Sequence, residues 1–454
     1  MTIRNILKWA GLALVLLLAI VLLINAFDER LNPSIAKFKD VGASKIPKEQ
    51  NAYFAMIGFA AAAEGDPHER GVLIVKAYEE AIAVDSLAFE YKPHSGSGPL
   101  SISGPVNDLC RPKGKSDCLS RSQKMERTIL AMQSDNAVLL QRYRSLYDYR
   151  YFRTAAIYGM STPTIELSTI GNAHALLLNG LALEVSEDNA KFALERLADD
   201  CRFWRRMLGQ SSNLVDKMVA GGLLKQDLTF LSEIIRVNQL SEPGLVTAGA
   251  IAAPLDSQER DFTMVFAGEF AMTAHVLSNV GSAITETPAN DFTRWLDQAG
   301  TRLFYERNAT LNALYAYARE SIEIASLPAP DFMKVWKEEL QERPTGRRHS
   351  WVSYIYNPVG KSLFDTLFGA TAYWMDYVAR IHDLDGLIRL VSLQLAIKRD
   401  QIEGPRIESF LQGADVEYTN PYTGKPMQWD SVQRSIYFEH EDGQGETKRI
   451  EVFL

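Results

Sequence analysis

The sequence predicts a mainly α protein: a membrane-anchored multi-helix body with a small C-terminal antiparallel β-element. Three observations carry this reading. Trp9 to Ile24 is an unbroken apolar run. From Ser120 to about Gln401, apolar residues recur at steps of three and four, the spacing of one face of a helix. After Gly404-Pro405 the chain changes to short stretches bounded by turn residues, as strands are.

The apolar run sets the organisation. As a helix it rises about 24 Å, and about 28 Å if continued through Asn25 to Phe27. A bilayer core is roughly 30 Å thick. Trp9, Leu12, Leu16, Ile20 and Ile24 are its anchoring residues. Arg4 and Lys8 precede it, and the positive-inside preference holds that end in the cytoplasm. The expected location is the bacterial inner membrane, single-pass, with the body in the periplasm. A cleaved signal peptide, cut after Ala26, is the alternative; Ile24 and Asn25 make a poor cleavage site. The expected divisions are an anchor (1–30), a linker (31–50) with Pro33, Gly42, Pro47 and several lysines, a helical body (51–403) and a β-hairpin module (404–454).

Charge and sulfur narrow the class. A net charge of −8 over 454 residues argues against nucleic acid as a partner, since binding phosphates needs a basic face. Arg111, Lys113 and Lys115, and again Arg343, Arg347 and Arg348, sit in Pro/Gly loops and read as solvated loop charge. Cys110 and Cys118 bracket the loop CRPKGKSDC. An oxidising compartment favours a disulfide there, worth roughly 2–3 kcal/mol by loop closure. A zinc site would need a second ligand pair. Cys201 follows Asp199 and Asp200; it reads as a free thiol that its acidic neighbours keep protonated.

Within the body, Asn51 to Ala63 reads as a buried Ala-rich helix, broken at Glu64-Gly65-Asp66-Pro67. Residues 92–119 are a Gly/Ser/Pro-rich loop. Ser120 to Leu146 is a helix ending in the aromatic cluster Tyr143, Tyr147, Tyr149, Tyr151 and Phe152. Pro163 opens the next helix, and Ser186-Glu187-Asp188 starts another. Gly221-Gly222 marks a weak point before Leu223 to Val237. Ser257 to Val280 is expected as one helix, and a face from Phe304 to Ile322 ends at Pro328 and Pro330. Trp374, Tyr377, Ile381, Leu384, Ile388, Val391 and Leu395 form the cleanest stripe, with Gly386 as a possible bend. Met427–Trp429, Ser435–Glu439 and Lys448–Phe453 read as strands, the last two joined by the turn 441–445.

One family likeness rests on the end of the chain. A Leu/Ile-rich helix is followed by Gly404-Pro405, then Asn420-Pro421-Tyr422-Thr423-Gly424-Lys425-Pro426 leading into a strand. This order resembles the end of uncharacterised bacterial single-pass envelope proteins. More distantly it looks like the C-terminal module of major pseudopilins, over about the last seventy residues. In pseudopilins the acidic glycine loop that follows binds calcium. The resemblance implies Glu441, Asp442 and Glu446 as the matching positions.

Catalytic signatures are sparse. The seven histidines stand at 68, 94, 174, 275, 349, 382 and 440, with no H-E-x-x-H spacing. Gly96-Ser97-Gly98 lacks the nucleophile-elbow pattern. Gly424-Lys425 lacks a phosphate loop's upstream glycine. His382-Asp383-Leu384-Asp385 is the most suggestive cluster, offering His382, Asp383 and Asp385 as candidate catalytic ligands. Adjacent carboxylates such as Asp199-Asp200 diverge by about 100° on a helix. The aromatic residues between 143 and 158, with Trp351, Tyr354 and Tyr356, read as ordinary core or as a groove for a sugar or peptide. No cofactor is expected. The expected role is binding or scaffolding of an envelope protein partner. A periplasmic hydrolase of an envelope polymer or phosphoester is one alternative, and a secretion-system accessory component is another. The sequence leaves the oligomeric state open.

Overall fold

A computed structural model describes the chain apart from residues 1–2, 41–45, 85–98, 116, 155–158, 160, 187–189, 280–290, 343–349, 369–372 and 444. His94, Gly96-Ser97-Gly98, Glu187, Asp188, Arg343, Arg347, Arg348 and His349 therefore lie outside the described residues. The protein is mainly α, with a three-stranded antiparallel sheet at its C-terminal end.

The chain opens with α1 (Ile3–Ile24) and α2 (Ser34–Asp40). It continues through α3 (Ala52–Ile57), α4 (Pro67–Val84), α5 (Cys118–Lys124), α6 (Glu126–Asp135) and α7 (Ala137–Ser145). The centre is α8 (Leu167–Ser186), α9 (Ala190–Gln210) and α10 (Leu214–Val237). Then come α11 (Glu242–Ile251), α12 (Ser257–Arg260), α13 (Thr263–Ser278), α14 (Asp291–Phe304), α15 (Arg307–Ala325), α16 (Ala329–Glu342) and α17 (Pro358–Phe368). The long α18 (Tyr373–Arg399) and the short α19 (Arg406–Gln412) precede β1 (Gln428–Asp430), β2 (Ser435–Glu441) and β3 (Thr447–Phe453). Helix α10 packs on α8, α9 and α18, so its apolar faces anchor the core.

Several helix ends depart from the periodicity, and two of them meet a polar side chain from far along the chain. Helix α3 stops at Ile57 rather than running to Ala63. There the Arg142 guanidinium, from α7, donates to the carbonyls of Phe59, Ala61, Ala62, Ala63 and Gly65 at 2.5–3.2 Å. Carbonyls claimed by one buried fork are unavailable to a continuing helix. The expected helix 257–280 breaks after Arg260, leaving the short α12, whose N-terminus is closed by a capping box between Asp256 and Glu259. Buried Lys217 donates to the carbonyls of Leu208 and Glu259, satisfying the ends of α9 and α12. The helix expected from Pro163 starts at Leu167. The stretch 120–146 divides into α5, α6 and α7.

Two glycine readings change. Gly221-Gly222 does not interrupt α10; Gly221 lies where Ile381 and Leu384 of α18 approach. Gly386 lies inside the continuous helix α18. An added Cβ there would stand 2.3 Å from Phe438 Cζ, so the missing side chain is the seat for β2. Ile436, Phe438 and His440 are the buried alternation of that strand.

The strands form where alternation placed them, in the order β1-β2-β3, with Trp429 opposite Ile436 and Phe438 opposite Ile450. The turn after Asn420 closes by Asn420 N to Lys425 O, with Gly424 at φ +66°. Asn420 also donates to Glu439 O, which fastens the turn to β2.

Residues 31–50, read as a linker, contain α2, whose Ile35 and Phe38 are buried. Phe38 meets the rings of Phe270 and Tyr315 edge-on at 5.3 Å. This segment is part of the body's packing.

Replacing Gly386 by Ala should destabilise the protein by about 1–3 kcal/mol. Adding Phe438→Leu should recover part of that loss in thermal unfolding, and additive losses would contradict the seat. Arg142→Met should cost at least about 3 kcal/mol in chemical denaturation, because several buried carbonyls lose their donor.

Candidate functional site

Two polar constellations stand out, one sealed and one open. The sealed one lies between α8, α9 and α10. His174, Asp200 and Asp227 are each fully buried. His174 Nε2 is 2.8 Å from Asp227 Oδ1 and 3.2 Å from Asp200 Oδ2. The outer oxygens are held from behind. Tyr143 and Tyr147 donate to Asp200 Oδ1 at 2.8 and 3.1 Å. The Cys201 thiol points to Asp227 Oδ2 at 3.6 Å, and Trp204 Nε1 donates to the Tyr143 hydroxyl at 3.0 Å. His174 Nδ1 and Asp200 Oδ2 make no hydrogen bond.

Burial dominates the electrostatics here. It pushes the Tyr143, Tyr147 and Cys201 pKa values well up, and the two carboxylates add to the shift. Cys201 is thus the protonated, free thiol its acidic neighbours imply. Burial works against a charged His174, yet Asp227 and Asp200 raise it to about 10. Burial, together with the Asp200 charge, raises Asp227 to about 7. His174 therefore holds its proton at neutral pH.

The open constellation is a cleft of about 650 Å³ bordered by α12, α18 and the 325–330 segment. Arg260, Asp261, Pro330, His382, Asp385 and Arg389 line it. Arg389 grips Asp385 Oδ2 through Nε and Nη2 at 3.0 and 2.7 Å, and donates Nη1 to Thr419 O. Arg260 Nη1 stands 4.0 Å from Asp385 Oδ1. His382 leans on Phe332 and Tyr422, and burial lowers its pKa to about 4. At neutral pH this ring is an uncharged hydrogen-bonding group.

The sequence trio 382–385 therefore divides. His382 and Asp385 face the cleft, whereas Asp383 accepts from Tyr422 at 2.6 Å and lies 2.9 Å from His440 Nε2. Tyr422 and His440 stack at 4.0 Å. Asp383 thus ties the β-module to α18. Its divergence from its neighbours follows from helix geometry.

The other sequence candidates are accounted for individually. Glu441 pairs with Lys337 at 2.7 Å. Asp442 accepts from Glu446 N and faces Lys448. Among the described residues, the three-member group with metal-ligand convergence is His174, Asp200 and Asp227; it does not include Glu441, Asp442 or Glu446. The Cys110 and Cys118 sulfurs stand at disulfide distance. Arg111 is not free loop charge, since it donates to Gly171 O and Asn172 Oδ1. Tyr143, Tyr147 and Phe152 belong to the core rather than a groove.

The sequence did carry a signal for the sealed site. Asp200 falls between Leu197 and Trp204, and Asp227 between Leu224 and Leu231, on the apolar stripes of their helices. A carboxylate at a core position needs buried partners. Comparison with family models, curated proteins and solved structures finds no match.

A pH test follows for the cleft. A histidine whose folded pKa lies below its unfolded value binds fewer protons when folded. Stability should therefore fall as pH drops from about 6.5 toward 4. Relative to His382→Asn, the wild type should lose on the order of 2–3 kcal/mol across that window, read from denaturation midpoints. Parallel curves for the two proteins would remove the buried neutral ring.

Proposed function

We propose that this chain is a single-pass inner-membrane protein whose body stands on the periplasmic side and binds an envelope component. The observation that carries this reading is α1. Its apolar stretch, Asn5–Ile24, has a mean hydropathy of 2.7, and none of it is buried against the body. Trp9, Leu12, Leu16, Ile20 and Ile24 are all exposed. In water that surface has no compensation; in a bilayer core it is the favourable one.

The junction with the body supports the same reading. Asn25 donates to Ile355 O at 2.7 Å and accepts from Asn357 N at 2.8 Å. Asp28 accepts from the backbone of Asn308 and Ala309, at the start of α15, where an acidic side chain satisfies free N–H groups. Asn312 takes up Glu29, Arg30 and Asn32. The anchor and body are thus joined by short polar contacts, and exposed Val352 and Ile355 flank the junction. Arg4 and Lys8 keep the leading end cytoplasmic, and the Cys110–Cys118 pair suits an oxidising compartment.

The cleft beside His382 is the proposed binding place. Its Asp385 is held by Arg389, and His382 is uncharged. A ring whose pKa burial lowers to about 4 is a weak general base at neutral pH, which favours a recognition surface over a hydrolytic centre.

The test is topology followed by capture. Alkaline phosphatase fused after Leu454 should be active, and a fluorescent reporter that folds only in the cytoplasm should stay dark there. The opposite pair of results would overturn the reading. Full-length protein cross-linked in membranes should then retain a partner that is lost on Arg389→Ala.

A further inference from the structure

We propose that His174, Asp200 and Asp227 form a structural binding site for one divalent transition metal ion, with zinc as the first choice. The ligand atoms are His174 Nε2, Asp200 Oδ2 and Asp227 Oδ1, all within 4.8 Å of one another. Three helices supply them, one each.

The aim of the carboxylates is the first argument. Each has its outer oxygen occupied, Asp200 by two tyrosine hydroxyls and Asp227 by the Cys201 thiol. Their remaining oxygens both face one imidazole nitrogen. A single N–H serves one oxygen well, and Asp227 at 2.8 Å is the hydrogen-bonded one. Asp200 Oδ2 is fully buried, points into the cluster and receives no hydrogen bond. Donors behind the ligands, orienting them toward a common point, are what a metal's outer shell requires.

Charge is the second argument. Among the described residues, His174 is the ion-pair partner of both carboxylates. Two carboxylates aimed at one imidazole in a dry core need positive charge between them. A divalent cation with neutral imidazole and two carboxylates sums to zero. One nitrogen and two carboxylate oxygens suit zinc, and also manganese or ferrous iron. Tetrahedral bonds of about 2.0–2.1 Å place ligand atoms about 3.3 Å apart. The nitrogen–oxygen separations of 2.8 and 3.2 Å need to widen by about half an ångström or less, and the two oxygens lie within 4.8 Å of each other. Because the site is sealed from solvent, the ion would staple α8, α9 and α10 rather than meet a substrate.

The test uses full-length protein extracted in detergent and purified without chelator. Elemental analysis should find about one zinc, manganese or iron per chain. Asp200→Asn and Asp227→Asn should hold below about a tenth of that, while Asp383→Asn keeps it. Should the variants fail to fold, the wild type alone decides. Slow chelation should lower its melting temperature, and adding back the same metal should restore it. Wild-type protein that stays metal-free after dialysis against each of the three ions, with an unmoved melting temperature, would overturn the site in favour of a proton-sharing cluster. Metal retained by a folded Asp200→Asn variant would do the same.

Discussion

The carboxylates of Asp200 and Asp227, buried between α8, α9 and α10, are the constraint around which the body is arranged. Burying two acids is unfavourable unless every oxygen is answered. Three of the four oxygens are answered, from four places in the chain: His174 on α8, Cys201 on α9, Tyr143 on α7 and Tyr147 just beyond it; Asp200 Oδ2 is the one left facing the cluster's centre. Each must be in register for the others to be satisfied. That interdependence fixes the rotation of α9 and α10 about their own axes. Their apolar stripes can then receive α18, which in turn seats the sheet through Gly386 and Phe438.

The same rule, that buried polar groups find partners, also decides where helices end. Arg142 claims five carbonyls beyond α3, seventy-seven or more residues away in sequence. Glu233 of α10 accepts from the backbone of Cys118 and Leu119, capping α5 with a side chain more than a hundred residues distant. Gln394 of α18 donates to Ser232 O and Phe453 O, joining α10 and β3. Each contact replaces a water that the folded core excludes. Together they fix the segments they bind against the helical core.

Periodicity made the helical class, the terminal strands and the long stripe of α18 legible, because apolar spacing is a local property. Helix ends were less legible, since their caps lie far off in the chain. Gly221, Gly222 and Gly386 read as breaks because a sequence cannot distinguish a glycine that frees the backbone from one that admits a neighbour. For the candidate sites, local adjacency misled in both directions. Asp383 and Asp385 sit together in sequence yet face different partners. His174, Asp200 and Asp227 are scattered in sequence yet converge. Spacing among the seven histidines does not single out His174; its place on a buried helix face does.

The polar joint at the end of α1 gives these interior constraints an external consequence. Asn25 stands 5% exposed at the helix exit and bonds Ile355 and Asn357, while Asp28 caps α15. Helix α15 packs on α13 and α17, and α13 borders the central core through α10. A continuous chain of contacts therefore runs from α1 into the centre of the body. A flexible tether would let the body sample every orientation within its reach; a joint of this kind fixes the direction of α1 relative to the body. Under the proposed topology the cleft beside His382 then keeps a fixed height and direction relative to the membrane. A partner held in the same bilayer meets it without the orientational loss that a freely swinging domain would impose.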